Sequence, residues 1–300
     1  MKQDIRPEFF IAGGPKCGTT ALSEYLRGHP AVFMSTPKEP HYFCDDFDYY
    51  YAPGRRTLDH YLRLYDDAGD EHLAVGEASV WYLYSTDAVP NIENTYPDSR
   101  YIVCLRNPVE MAYSLHNQML VNGNESVTDF EEAWRLSGER LAGRNLSRFS
   151  REPSHLAYHK VCSLGAQYER LLSRVDGSRV IPILMEDVKA DARSQYLRVV
   201  EFLGLDDDGR FDFPVFNPAK ERRSVLLRKI VMAIGDAKRT LGIQSGFGLL
   251  NKIDRTNLRY RQRPPLPADI RQQLQQYFRE DVAKLGQLLG RDLVRLWEFT

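Results

Sequence analysis

Three hundred residues, 43% of them hydrophobic, suffice for one large domain with a buried core, and a net charge of -1 argues against a protein that coats nucleic acid. The first residues, MKQDIRPEFF, contain no apolar signal-peptide core, and no later run reaches the roughly 20 apolar residues needed to span a bilayer. Four cysteines at positions 17, 44, 104 and 162 are scattered rather than paired as in a zinc or redox motif. These features lead us to expect a cytoplasmic chain with reduced thiols and no membrane span.

In chain order, short apolar runs at Glu8 to Ala12, Leu73 to Val75, Arg100 to Leu105 and Arg179 to Leu184 predict strands. Helical periodicity covers Thr19 to Arg27, Val109 to Leu120 and Arg193 to Phe202, the last stopping at Gly204. The alternation predicts an α/β fold, a P-loop-like central parallel sheet flanked by helices, in a single domain with helical insertions. Longer helical or irregular pieces, Phe33 to Asp70 and Asn122 to His155, separate the strands. The core is expected at about residues 8 to 205, with a basic, mostly helical part from about 206 to 300. There, Pro218 to Arg263 holds twelve Lys and Arg against three acids. RQRPPLP (Arg261 to Pro267) is a stiff connector before a final amphipathic helix, Ala268 to Leu289. Asn124-Glu125-Ser126 and Asn145-Leu146-Ser147 match the glycosylation pattern, which means little without an export signal.

The stretch FFIAGGPKCGTTAL follows the first predicted strand. Gly13, Gly18 and Thr20 keep the spacing of a P-loop, but Thr19 stands where its lysine belongs and the lysine is Lys16. A glycine-containing turn running into a helix presents backbone N–H groups and the positive end of the helix dipole to an anion. A kinase would also need a carboxylate for magnesium, and VIPILMED (Val180 to Asp187) could supply it; yet the strand RYIVCL ends in Arg106, which suggests a second anionic group on the ligand.

Together, GGPKCGTTAL and YIVCLRNPVEMAYSLHNQ resemble the paired cofactor signatures of sulfotransferases that use 3′-phosphoadenosine 5′-phosphosulfate. KEPHYF resembles the branch of heparan sulfate N- and 3-O-sulfotransferases. The resemblance extends from Phe9 to about Leu205. It implies that Pro15, Lys16, Cys17, Gly18, Thr19 and Thr20 line the 5′-phosphosulfate, and that Arg106 and Ser114 contact the 3′-phosphate. It also implies that Tyr168 lies near that phosphate and that the basic Arg222 and Arg223 belong to a late cofactor loop. Lysine can then take the place of magnesium in a kinase, so no metal is expected.

In AVGEASVWYLY, Glu77 follows the second predicted strand and matches the glutamate that serves as base in the resembling family, although Ala78 stands where that family has lysine. His41 is the rival base. Lys38, Glu39 and His41 are expected near cofactor or acceptor, and Trp81, with the tyrosines of FDYYYAPGRR, is a candidate for stacking on a sugar or aromatic ring. The expected reaction is direct in-line transfer to a hydroxyl, or less readily an amine, of a small-molecule, natural-product or glycan acceptor, releasing 3′-phosphoadenosine 5′-phosphate.

Overall fold

The computed structural model describes residues 6–47, 57–147, 150, 152–214 and 264–299, together with 220–222, 227, 230, 234, 256 and 258–260. The chain divides into two compact units: Met1–Met111, Val161–Phe216 and Gln272–Thr300 form the first, Ala112–Lys160 and Asn217–Arg271 the second.

The first unit is built on five parallel strands: β1 (Phe9–Ile11), β2 (Val32–Met34), β3 (Ala74–Ala78), β4 (Arg100–Leu105) and β5 (Val180–Leu184), in spatial order β2-β3-β1-β4-β5. Central strands of a parallel sheet are covered on both faces, which is why β1 reads as a continuous apolar run and Phe9, Phe10, Ile11 and Ala12 are fully buried. Each such large side chain contributes about 1.5–3 kcal/mol by leaving water. Phe10 lies opposite Glu77 in register and meets the rings of Phe43, Tyr82 and Tyr101 at 5.8, 6.1 and 6.1 Å. Because every strand runs the same way, the segments that leave the sheet at its carboxyl edge gather there.

The predicted helices at Thr19–Arg27 and Ala268–Leu289 form with those bounds, and two others extend slightly, to Pro108–Asn122 and Ala192–Phe202. Gly204 turns out of the last of these at φ 78°. Two features differ from the sequence reading. The piece from Phe33 to Asp70, expected to be helical or irregular, begins inside an edge strand, β2, three residues long and paired with β3. β3 continues past Val75 to Ala78, so Glu77 lies inside the strand rather than after it.

The C-terminal helix is fastened to its own unit by a carboxylate. The helix Leu164–Leu172 has no side-chain cap of its own at Ser163; instead Asp281 accepts from the N–H groups of Gly165 and Ala166, both at 2.8 Å.

In the second unit, Glu125 is wholly buried and accepts five hydrogen bonds: two from the guanidinium of Arg140 (2.6 and 3.0 Å), one from Tyr158 (2.9 Å), and two from the N–H groups of Ser126 and Val127 (2.8 and 2.9 Å). The basic segment contributes an antiparallel pair, Lys220–Arg222 with Leu258–Tyr260. Arg222 lies in that pair; Arg223 and most of the basic run are outside the described residues, as are residues 48–56 of FDYYYAPGRR.

Candidate active site

At the carboxyl end of β1 the backbone turns through Gly13 to Gly18 into the helix Thr19–Arg27. A Cβ on Gly13 would sit 2.6 Å from the backbone nitrogen and oxygen of Cys104 in β4, so the close approach of the loop to β4 requires glycine. Gly18 requires it twice over: its φ is 92°, and a Cβ there would lie 2.8 Å from the sulfur of Met185. The helix begins at Gly18 without a side-chain cap and with no acidic residue in its first turn, so none of its own carboxylates offsets the positive end of its dipole.

Lys16 itself has a left-handed backbone, φ 68°, a conformation that costs a non-glycine residue energy unless its surroundings hold it there. Arg106, leaving β4, holds it: its Nη1 donates to the carbonyl of Lys16 at 3.0 Å. The other end of the guanidinium stands 4.0 Å from Glu110, and its Nε is buried with no partner among the described residues. A buried guanidinium nitrogen without a partner among the described residues, beside a glycine turn that opens a helix, is chemically suited to an anionic group. Thr19 is buried and Thr20 half-buried. Cys17 is buried under the loop, its sulfur 3.7 Å from that of Met111, and burial pushes its thiol far up, which makes it packing rather than a nucleophile. Pro15 is buried in the same turn. Tyr168 is buried on the helix Leu164–Leu172, where burial pushes its hydroxyl up to about 12. Ser114 is buried on Pro108–Asn122, in the part of that helix belonging to the second unit.

On the other side of β1 the segment after β2 folds back over the end of β3. Glu39 donates its N–H to the carbonyl of Ala78 at 3.0 Å, and His41 donates its N–H to the Ser79 hydroxyl at 3.1 Å. Both residues have positive φ, 65° and 49°. Of the five non-glycine residues in this conformation among the described residues, three (Lys16, Glu39 and His41) therefore stand at the carboxyl edge of the sheet, where strain commonly marks function.

The two candidate bases and Glu39 sit in very different surroundings. Glu77 is fully buried, and both its oxygens are taken: Tyr61 and Tyr82 donate to Oε1 at 2.8 Å each, Ser79 to Oε2 at 2.7 Å. Tyr65 extends the chain by donating to Tyr61 at 2.9 Å, and Tyr42 stacks on the Tyr61 ring at 4.4 Å. Burial raises the Glu77 carboxyl to about 7, against the three hydrogen bonds, which favour the ionised form. Through Ser79, Glu77 carries the backbone of His41. His41 is buried too, its ring edge-on to Tyr82 at 6.3 Å, and burial lowers its pKa. Glu39 alone is open, its side chain 38% exposed. Lys38 Nζ lies 2.6 Å from its Oε1 and His41 Nε2 3.7 Å from its Oε2. Burial would raise the Glu39 carboxyl, but the contact with His41 and the charge of Lys38 outweigh it and hold it at about 2. Trp81, offered as a stacking surface, is buried and packs edge-on against Tyr84 at 6.0 Å.

The structure thus brings together Lys16, Gly18, Thr19, Thr20 and Arg106 on one side of β1, and Lys38, Glu39, His41 and Glu77 on the other. Sequence reasoning did not find Tyr61, Ser79 and Tyr82, which enclose Glu77. Tyr82 and Ser79 lay in the quoted AVGEASVWYLY, but nothing in their spacing separates a hydroxyl that serves a carboxylate from one that faces water.

The profile of the family described as Sulfotransferase domain matches residues 6–215. Carbohydrate sulfotransferase 15 of Homo sapiens is 33% identical over 165 residues, 42% of this chain and 29% of that protein. Heparan sulfate glucosamine 3-O-sulfotransferase 6 of Mus musculus is 34% identical over 118 residues, 38% of this chain and 31% of that one. The chain spans less than a third of the length of these curated relatives. Among solved structures, a sulfotransferase from Alicyclobacillus acidocaldarius superposes with a TM-score of 0.73 at 27% identity, covering 98% of this chain and 99% of that one.

Proposed function

This chain belongs to the sulfotransferase domain family, and from that premise we propose that it transfers a sulfuryl group from 3′-phosphoadenosine 5′-phosphosulfate to a hydroxyl or amine of a small-molecule, natural-product or carbohydrate acceptor. The observation that carries this reading is the turn from Gly13 to Thr20, with no acid in the first turn of its helix and Lys16 held by an arginine whose Nε is buried and without a partner among the described residues. When bound, the nucleotide supplies a sulfuryl group activated by a phosphate leaving group. Lys16, the Gly18 to Thr20 backbone and the two threonine hydroxyls would hold its 5′ side, and Arg106 its 3′-phosphate.

The base is assigned by geometry before pKa. Glu77 has no exposed surface and already accepts three hydrogen bonds, so its part is to position the His41 segment through Ser79. Glu39 presents an ionised, accessible carboxylate at the same edge of the sheet. It takes the proton from the acceptor's O–H or N–H, whose electron pair stays with the attacking atom. Glu39→Gln should lower kcat by about 10²-fold.

A nucleotide kinase would ask the segment after β5 for a magnesium carboxylate. Asp187, the residue in question, is engaged by both terminal nitrogens of Arg291. The two readings part in one calorimetric experiment with chelator present. Binding of 3′-phosphoadenosine 5′-phosphate that is much tighter than that of adenosine 5′-phosphate, and is lost in Arg106→Met, supports the sulfotransferase. Equal binding of the two nucleotides, or ATP binding that requires magnesium, overturns it. No helix among the described residues is long and apolar enough to cross a membrane.

A further inference from the structure

Ala78 leaves the carboxyl end of β3 without a cation of its own, yet a cation is there. Lys38, delivered by the segment after β2 whose next N–H is bonded to the Ala78 carbonyl, is only 17% exposed along its side chain. Its charge acts on Glu39 and His41 beside it, and also on Glu77 in β3 and Cys104 in β4. Among the described residues its side chain hydrogen-bonds to Glu39, at 2.6 Å. This contact is at odds with the chemistry proposed above: a carboxylate gripped by an ammonium has its charge neutralised and makes a poor proton acceptor.

We propose that Lys38 is exchanged between two anions. In the resting protein it holds Glu39, and a sulfonate arriving at this edge of the sheet draws it away, freeing Glu39 to take the acceptor's proton. The inference rests on the sulfuryl-transfer reading. Its physical basis is competition for one ammonium: the Glu39 carboxylate and the sulfonate are like charges, and Lys38, with four methylenes and freely rotating donors, can serve either. The device makes the base available only when the donor is in place. The N–H bond of Glu39 to the Ala78 carbonyl keeps its backbone in place while the lysine moves.

The test reads binding without turnover. Calorimetry, with acceptor omitted, gives the affinities of 3′-phosphoadenosine 5′-phosphosulfate and of 3′-phosphoadenosine 5′-phosphate, and their ratio isolates what the sulfonate adds. The ratio should fall about tenfold in Lys38→Met, which loses a charge-assisted hydrogen bond. It should rise in Glu39→Gln, which releases Lys38 from its competitor. In the double variant the rise should disappear, because there is no lysine left to release. A second reading comes from the pH profile. If Lys38 holds Glu39 down in the resting protein, the acid limb of kcat/KM should move to higher pH in Lys38→Met.

Retention of affinity for 3′-phosphoadenosine 5′-phosphate in each variant shows that the fold and the nucleotide site are intact. If that affinity is absent from the wild-type protein, the sulfotransferase reading itself fails. If it is present but the ratio is unmoved in Lys38→Met, or if Glu39→Gln raises it equally with and without Lys38, the exchange is refuted and the pair is only a salt bridge.

Discussion

Among the described residues two glutamates are buried, Glu77 in one compact unit and Glu125 in the other, and they are satisfied in opposite ways. Glu125 is met by a guanidinium, a tyrosine and two backbone N–H groups; Glu77 is met by three hydroxyls and no hydrogen-bonded cation. A carboxylate paired with arginine has its charge balanced in place, and removing either partner strands the other. A carboxylate surrounded only by neutral donors keeps the cost of its charge, which is why the Glu77 carboxyl is raised to about 7 and can bind a proton near neutrality. The difference teaches that burial alone does not mark a glutamate as structural or as chemically active. The charge of the donors separates the two cases, and Glu77, met only by neutral donors, belongs to the same unit as the proposed base.

The largest effect should come from Glu125→Ala, which leaves Arg140 buried without its counter-charge and should cost about 3–5 kcal/mol in urea unfolding. Replacing both partners, Glu125→Leu with Arg140→Met, should restore most of that loss. A single variant as stable as the wild type would break the contrast.

Next, Glu77→Gln should cost about 1–3 kcal/mol, because an amide cannot accept well from all three hydroxyls. Its effect should depend on pH. The folded carboxyl, at about 7, lies above the roughly 4.3 of the unfolded chain, so the folded state binds the proton more tightly. The stability from this group is therefore fully present below about 4.3 and is lost as pH rises through about 7. The gap between wild type and Glu77→Gln should narrow between pH 5 and pH 8, and parallel melting curves would show that Glu77 does not titrate there. Turnover per folded molecule should fall much less in this variant than in Glu39→Gln; the reverse order would return the role of base to Glu77.

The smallest effect belongs to Tyr65→Phe. It removes the outermost hydroxyl of the Glu77 chain and should cost about 0.5–1.5 kcal/mol with little change in the pH dependence.

Much of this arrangement was legible in the sequence where the signal is local. Four of the five sheet strands could be placed because each is a short apolar run, and the two signature turns because the runs of β1 and β4 meet glycine or proline within a few residues. β2 escaped because three residues between Ala31 and Ser35 carry no period, and its strand character comes from pairing with β3 some forty residues on. The positions of Lys16 and Arg106 were readable, but the hydrogen bond between them was not. Glu77 stood out in the sequence, but its donors did not: they lie at Tyr61, Ser79 and Tyr82, and the closure around it depends on how the segment after β2 folds back. The motif around Asn124 illustrates the same limit. As a string it matched a modification pattern, while its middle residue, Glu125, is a buried carboxylate that accepts five hydrogen bonds.

The bond from Arg106 to the carbonyl of Lys16 joins residues 90 positions apart, and it is made to the backbone of the lysine rather than to its side chain. Any residue at position 16 would still offer that carbonyl, whereas few side chains at 106 could reach it. Inheritance at the two positions is therefore unequal. A change at 16 discards one charge and leaves the turn standing; a change at 106 discards a charge and also lets the turn relax, so that the lysine, though still encoded, is no longer presented. A lineage that lost the arginine first would have little left to preserve at 16.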